Sequence, residues 1–299
     1  SARPPRLSAA ESKGKRGNAE KKITGQKPRR KEREMNRATT VTAARMLAVD
    51  AIAKANSGHP GLPLGAMPAL NAVYAAMKND PTQPTHINRD RFVMSAGHGS
   101  AGLYATLHLF GYGITVEDMK RFRQLGSRTP GHPEYGVTEG VDVSTGPLGQ
   151  GIANAVGMAI AETVLAATFD REGYKVFDHY TYALCGEGCL MEGISYEAMS
   201  LAGTLKLGKL ILVYDKNDIT IEVDKDTSFC ENVAERFNAM DWHVEIVEDG
   251  NDLSALDRAI GKCKAQGERP SVIISKTRIG YGSPFEGTAS VHGSPLKDE

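Results

Sequence analysis

The chain has 299 residues, 40% of them hydrophobic and 24% charged, an ordinary globular composition with length enough for one large domain or two small ones. That excludes a mini-protein and a repeat fibre, and no uninterrupted apolar run approaches the roughly 20 residues of a membrane span. The net charge is zero but unevenly spread: residues 1–35 carry 12 Lys and Arg against 4 Asp and Glu, leaving 24 against 32 in the remainder.

Residues 1–35 are poor in apolar side chains and rich in Lys, Arg, Gly and Pro, which cannot build a packed core. They are expected to form a disordered basic leader ahead of a folded domain over 36–299. Without interleaved aromatics the leader reads as a solvated tail in preference to a nucleic-acid-binding arm. With neither a spanning segment nor the apolar stretch of a secretion signal, the expectation is a cytoplasmic protein with no membrane partner. The four cysteines, Cys185, Cys189, Cys230 and Cys263, follow no paired ligand spacing. They are expected to be small core residues, not disulfide or zinc ligands.

Apolar positions recur at helical spacing from Ala38 to Ala55, and Ser57-Gly58-His59-Pro60-Gly61 halts that helix. A second helix is predicted near Leu64 to Met77, a strand at Arg91 to Ser95, and a third helix after Gly97-His98-Gly99-Ser100. The next loop carries Thr129-Pro130-Gly131-His132-Pro133-Glu134. Thr145-Gly146-Pro147-Leu148-Gly149-Gln150-Gly151 leads into Ile152 to Phe169, whose Ala-rich composition predicts a buried helix. A strand at Tyr180 to Cys185, a helix at Glu192 to Lys206 and an apolar strand at Lys209 to Tyr214 follow. Further units lie at Val244 to Val247, Leu253 to Ala265 and Val272 to Ser275. Strands separated by helical crossovers predict an α/β fold, a mostly parallel sheet with helices on both faces.

Ligands of such sheets bind beyond the carboxyl ends of strands. After Cys185 stands Gly186-Glu187-Gly188, where glycines admit an anion and the carboxylate suits a hard cation. After Tyr214 stands Asp215-Lys216-Asn217-Asp218-Ile219. If the two strands are neighbours, Glu187, the Asn217 amide oxygen and the Ile219 carbonyl supply three oxygen ligands, and magnesium would complete its octahedron with phosphate oxygens and water. Four histidines, His59, His98, His132 and His292, fall in Gly/Pro-rich loops that gather at one end of the sheet, where imidazoles can bind hydroxyls and relay protons. His86, His108, His179 and His243 read as structural.

Taken with Gly186 to Gly193, Ser200 to Gly208 and Val291-His292-Gly293, these loop segments resemble, in order and spacing, the amino-terminal half of transketolases, nearly continuously from about Ala43 onward. The resemblance implies the thiamine diphosphate-binding fold and assigns roles. Glu187, Asn217 and the Ile219 carbonyl would hold magnesium, or calcium or manganese in its place. Gly188, Asn217 and His98 would contact the diphosphate, with His292 nearby; Gly146, Pro147 and Leu148 would face the cofactor's rings. His59, His132 and His292 would meet the donor sugar's C1 and C2 oxygens and assist proton movement. The implied activity is transfer of a two-carbon ketol unit from a ketose phosphate donor to an aldose phosphate acceptor, through a carbanion carried on thiamine diphosphate.

Three positions depart from the family. Glu187 stands where Asp is usual, displacing the carboxylate by roughly 1.5 Å, about one carbon–carbon bond. Asp218 stands where Gly is common and is expected to add negative charge beside the phosphate site. Ala289 replaces a frequent His. The family's pyrimidine-binding and carboxyl-terminal domains, which bear its essential glutamate, have no counterpart in this sequence. The chain is therefore expected to be catalytically incomplete alone and to act as the amino-terminal subunit of a split transketolase, with a C-terminal subunit as partner in an α2β2 assembly. A fragment of a longer enzyme would carry the same sequence. Two alternatives stand beside this: another thiamine diphosphate enzyme, making 1-deoxyxylulose phosphate or decarboxylating 2-oxo acids, and a non-catalytic scaffold or regulatory subunit.

Overall fold

The computed structural model describes residues 30–219 and 228–296, with side chains from residue 36 onward. Most of the leader therefore lies outside the described residues, but α1 (Arg30–Ala55) begins inside the segment read as disordered. It is followed by α2 (Gly61–Ala76), β1 (Arg91–Met94), a 3-10 turn at Gly97–Gly99, α3 (Ser100–Leu109) and α4 (Val116–Met119). Then come α5 (Gln150–Phe169), β2 (Thr181–Cys185), α6 (Glu187–Met191), α7 (Gly193–Thr204) and β3 (Leu210–Lys216). The chain continues through α8 (Val233–Ala239), β4 (His243–Val247), α9 (Leu253–Gln266) and β5 (Ser271–Lys276).

The five strands form one sheet in the order β1-β2-β3-β5-β4, with every pairing parallel. Every residue of β2 is buried. Since successive strand side chains point to opposite faces, both faces of the sheet are covered, which explains the unbroken apolar runs of the central strands. The outer strand β4 is only partly covered, with Ile246 exposed. Helix α2 is buried from Gly61 through Tyr74, so Pro63 and Pro68 are held by packing. Helix α4, unforeseen in the sequence, is a single turn closed by a capping box in which Thr115 and Asp118 satisfy each other's amides.

The helix predicted over Glu192 to Lys206 is α7, and a short helix unforeseen in the sequence, α6, precedes it across extended backbone at Glu192. One expectation about helices is corrected. The buried helix predicted over Ile152 to Phe169 is buried on one side only. Ile152, Val156 and Ala159 face the core, and Glu162 accepts a hydrogen bond from Lys209 Nζ at 2.7 Å. The opposite side exposes Asn154, Gly157, Ala161, Val164 and Thr168 at helical spacing. At 20 residues and mean hydropathy 1.5, α5 is the one helix among the described residues with the length and apolarity of a membrane span. Among the cysteines, Cys185, Cys189 and Cys263 are buried as expected, whereas Cys230 is exposed.

Candidate active site

Cys185 and Tyr214 are in register across β2 and β3, so the turns that follow them lie side by side. Glu187 opens α6, and its side chain is 3% exposed. Its Oε1 accepts the main-chain N–H of Asn217 at 3.0 Å and of Asp218 at 2.9 Å, and the Tyr214 hydroxyl at 3.3 Å. Burial, then the neighbouring Asp215, pushes the Glu187 carboxyl up to about 7. Those amides limit the rise by favouring the charged form.

Asn217 is held on both sides. Its Nδ2 donates to Asp215 at 2.9 Å and its Oδ1 accepts the Ile219 amide at 3.1 Å. Asp215, buried and raised to about 6 by that burial, also accepts the Thr277 hydroxyl at 2.5 Å. Sequence reading gave Asp215 and Thr277 no role, since a carboxylate inside an apolar strand end reveals its partner only in three dimensions. Asp218 has a left-handed backbone with φ 62°, the conformation that makes glycine favourable there. Its carboxylate is paired with Lys216 Nζ at 2.6 and 2.8 Å, so the charge expected beside the phosphate site is matched by a lysine. Ala289 packs against the small cluster of Ile219, Ile279 and Val291.

Opposite this acidic corner three imidazoles gather. Ring centroids of His59 and His98 are 5.1 Å apart, those of His98 and His292 5.3 Å, and those of His59 and His292 6.0 Å. Burial, then His292, Arg123 and His132, lowers His59 to about 4. Burial first, and then His292, His59 and His132, lowers His98 well below the usual histidine range. Burial lowers His292, and burial and Arg123 lower His132 against the pull of Glu134. All four are therefore neutral at pH 7 and able to serve both as donors and acceptors.

A cavity of about 430 Å³ lies between the corner and the imidazoles. It is lined by His59, His98, Gly146, Leu148, Glu187, Gly188, Asn217, Ile219 and His292, with Leu62 and Met191 adding apolar wall. Two expected site residues lie off this lining. Pro147 is exposed, and His132 packs behind Gly146, where a Cβ would sit 3.4 Å from its ring. The loops that carry His98 and Gly146 also interlock backbone to backbone: a Cβ on Gly97 would lie 2.8 Å from the Gly146 amide nitrogen. Leu62 and Ser228 line the cavity from outside every segment singled out in the sequence, and Met191 and Glu192, within Gly186 to Gly193, line it without having been given a role.

The family model for "Transketolase, thiamine diphosphate binding domain" matches residues 36–299. Transketolase of Bacillus subtilis is 57% identical over 262 residues, which is 87% of this chain and 39% of that protein. Transketolase 1 of Saccharomyces cerevisiae is 56% identical over 258 residues, 86% of this chain and 38% of that protein. A crystal structure of Pichia stipitis transketolase in complex with sedoheptulose 7-phosphate superposes with a TM-score of 0.86 at 49% identity, covering 87% of this chain and 39% of that one. Transketolase from Leishmania mexicana does so with a TM-score of 0.86 at 51% identity. The chain thus spans about two fifths of the length of the relatives it matches. With its parallel sheet and the cavity at the carboxyl ends of β2 and β3, the chain belongs to the transketolase family, as its thiamine diphosphate-binding domain.

Proposed function

We propose that this chain is the amino-terminal part of a transketolase, transferring a two-carbon ketol unit from a ketose phosphate to an aldose phosphate once joined by the pyrimidine-binding and carboxyl-terminal domains on a separate subunit. The observation that carries it is the cavity itself, in which neutral His59, His98 and His292 face Glu187 and Asn217 across about 430 Å³. Its chemistry fits thiamine diphosphate with a divalent cation. One end has an apolar wall for rings, and the other has carboxylate, amide and main-chain oxygens suited to magnesium. Among the described residues no group of three or more His, Cys, Asp or Glu is poised to hold a metal, so the cation would depend on the diphosphate to complete its shell. His292 Nδ1, buried with no partner, would find one in a bound anion.

When bound, thiamine diphosphate supplies the electron sink for cleaving the ketose carbon–carbon bond. The chain's own residues position and neutralise. Glu187, Asn217 and the Ile219 carbonyl hold the cation, with Asp215 and Thr277 fixing the Asn217 amide. Gly188 and His98 receive the diphosphate, and Gly146 and Leu148 face its rings from the wall, Pro147 supporting them. His59 and His292 meet the sugar's C1 and C2 oxygens, and His132 supports them from behind Gly146. Being neutral near pH 7, these imidazoles meet those oxygens through hydrogen bonds and not as charges.

The exposed small-residue face of α5 supports assembly, since its apolar Ala161 and Val164 gain from being covered. The buried free thiols Cys185, Cys189 and Cys263 accord with a reducing cytoplasm. The test is ketose-dependent two-carbon transfer, with magnesium and thiamine diphosphate, by this chain alone and with the carboxyl-terminal domains of a relative supplied separately. Activity in the mixture alone is expected. Activity of the chain alone would remove the partner, and turnover of a 2-oxo acid in place of a ketose would move it to another thiamine enzyme class.

A further inference from the structure

Arg123 carries a left-handed backbone, φ 62°, costly for a long side chain and absent from any turn motif read in the sequence. Its amide donates to the Thr129 carbonyl at 3.0 Å, which closes the loop around that conformation. The side chain is thereby laid across Gly131, where a Cβ would come within 3.3 Å of Arg123 Nε. From there the guanidinium crosses to a second loop. Nη1 donates to Ser57 Oγ at 2.8 Å, and Nη2 meets His59 Nδ1 at 3.4 Å. One side chain thus ties the loop that carries His132 to the loop that carries His59.

A guanidinium has five donors and no acceptor. The ring nitrogen it faces must therefore offer a lone pair, and the single proton of a neutral imidazole is left on the other nitrogen. We propose that Arg123 is a positioning residue that locks His59 as its Nε2–H tautomer, so that His59 presents a hydrogen-bond donor at the cavity. Nε2 lies on the far side of the ring, beside the 292–293 turn, where a Cβ on Gly293 would be 3.4 Å away. The groups facing His59 are Arg123, His98, His132 and His292, none of them an anion that could draw a proton back to Nδ1. A fixed donor selects for an acceptor oxygen, the carbonyl or hydroxyl of a ketose, over a donor-only group. The inference rests on the proposed contact between His59 and the donor sugar, and it adds how that contact acquires its polarity.

Imidazole nitrogen spectra of the full chain, labelled with 15N-histidine at pH 7 and with His59 assigned through His59→Asn, test the lock directly. The expected wild-type signature is a bare Nδ1 and a protonated Nε2. Arg123→Gln and Arg123→Ala should mix the two tautomers. A protonated Nδ1 in the wild type, or an unchanged signature in either folded variant, overturns the proposal. Should Arg123→Ala fail to fold, Arg123→Gln retains the length and polarity needed for the comparison. With the carboxyl-terminal domains supplied, Arg123→Ala is expected to lower kcat/KM for a ketose about tenfold, but less than about twofold in a His59→Asn background. Equal losses in both backgrounds would mean that Arg123 does not act through His59. If His59→Asn alone leaves ketose turnover intact, the sugar contact falls while the tautomer spectra still decide the lock.

Discussion

Glu187 and Asn217, thirty positions apart, are joined at 3.0 Å by a carboxylate that accepts the asparagine's own main-chain amide. The longer side chain that replaces the usual Asp thus reaches into the neighbouring turn and braces the segment that would supply the other two oxygens of the proposed cation site. Glu187→Ala should weaken magnesium-dependent thiamine diphosphate binding at least about 100-fold, judged by calorimetric titration. Glu187→Asp retracts the carboxylate, gives up the two amide bonds and keeps a ligand, so its change should stay within about tenfold. Unaltered binding by the alanine variant would take Glu187 out of the cation site.

Helix α7 meets the end of α8 at zero clearance. A Cβ on Gly203 would lie 1.8 Å from the Met240 carbonyl oxygen, and the same contact is pinned by Trp242 Nε1 donating to the Met199 carbonyl at 2.8 Å. Gly203→Ala is expected to cost about 2 to 3 kcal/mol, because backbone must move. Urea unfolding reads it as a lower midpoint, and an unmoved midpoint would mean that α7 can slide.

His179 lies at the amino end of the sheet, its pKa lowered to about 4 by burial and then by Arg91, Lys78, Lys209 and Arg89. Between pH 4 and 6.5 the unfolded chain holds more of this proton than the folded one, so stability falls as pH drops through that window. Glu187 and Asp215, both raised, act oppositely and favour the folded state at lower pH. The comparison is therefore with His179→Gln, which keeps a donor for the Asn88 side chain. Its thermal midpoint should fall less between pH 7 and pH 5 than that of the wild type; equal falls would exclude His179 as a source of acid sensitivity.

The open side of α5 supplies a test of assembly that spares the fold. Ala161→Glu and Val164→Lys change exposed positions and should alter the stability of the isolated chain by no more than about 0.5 kcal/mol. Sedimentation velocity should nevertheless show loss of association with the carboxyl-terminal domains or with a second copy. Intact association would place the contact elsewhere.

The central sheet was legible in the sequence because strands covered on both faces read as unbroken apolar runs, as at Leu210 to Tyr214. The two site turns were legible from their pairing one crossover apart, since glycine, carboxylate and asparagine are each ordinary turn residues when taken singly. The one-sidedness of α5 was not, since alanine-rich composition looks alike whether a helix is covered by its own chain or by another. Nor was Arg123: an arginine in a loop reads as solvated, and its value lies in two partners, Ser57 and His59, some 65 positions earlier. Asp215 was hidden for the same reason, its partner Thr277 being 62 positions away.

Strand order also bears on how the chain comes to be folded. The Tyr180 amide donates to Asp90 across a separation of 90 positions, at the point where β1 joins β2. Closing so long a loop delays the reward for its entropy cost, so β1 waits unpaired on the ribosome until β2 has been made. Helix α2, destined to be covered from Gly61 to Tyr74, packs on α1, α3 and α9, and the last of these is made latest. The nascent chain therefore carries an incompletely covered, mostly apolar helix until α9 has been synthesised, which makes it a natural client for chaperones that hold rather than fold.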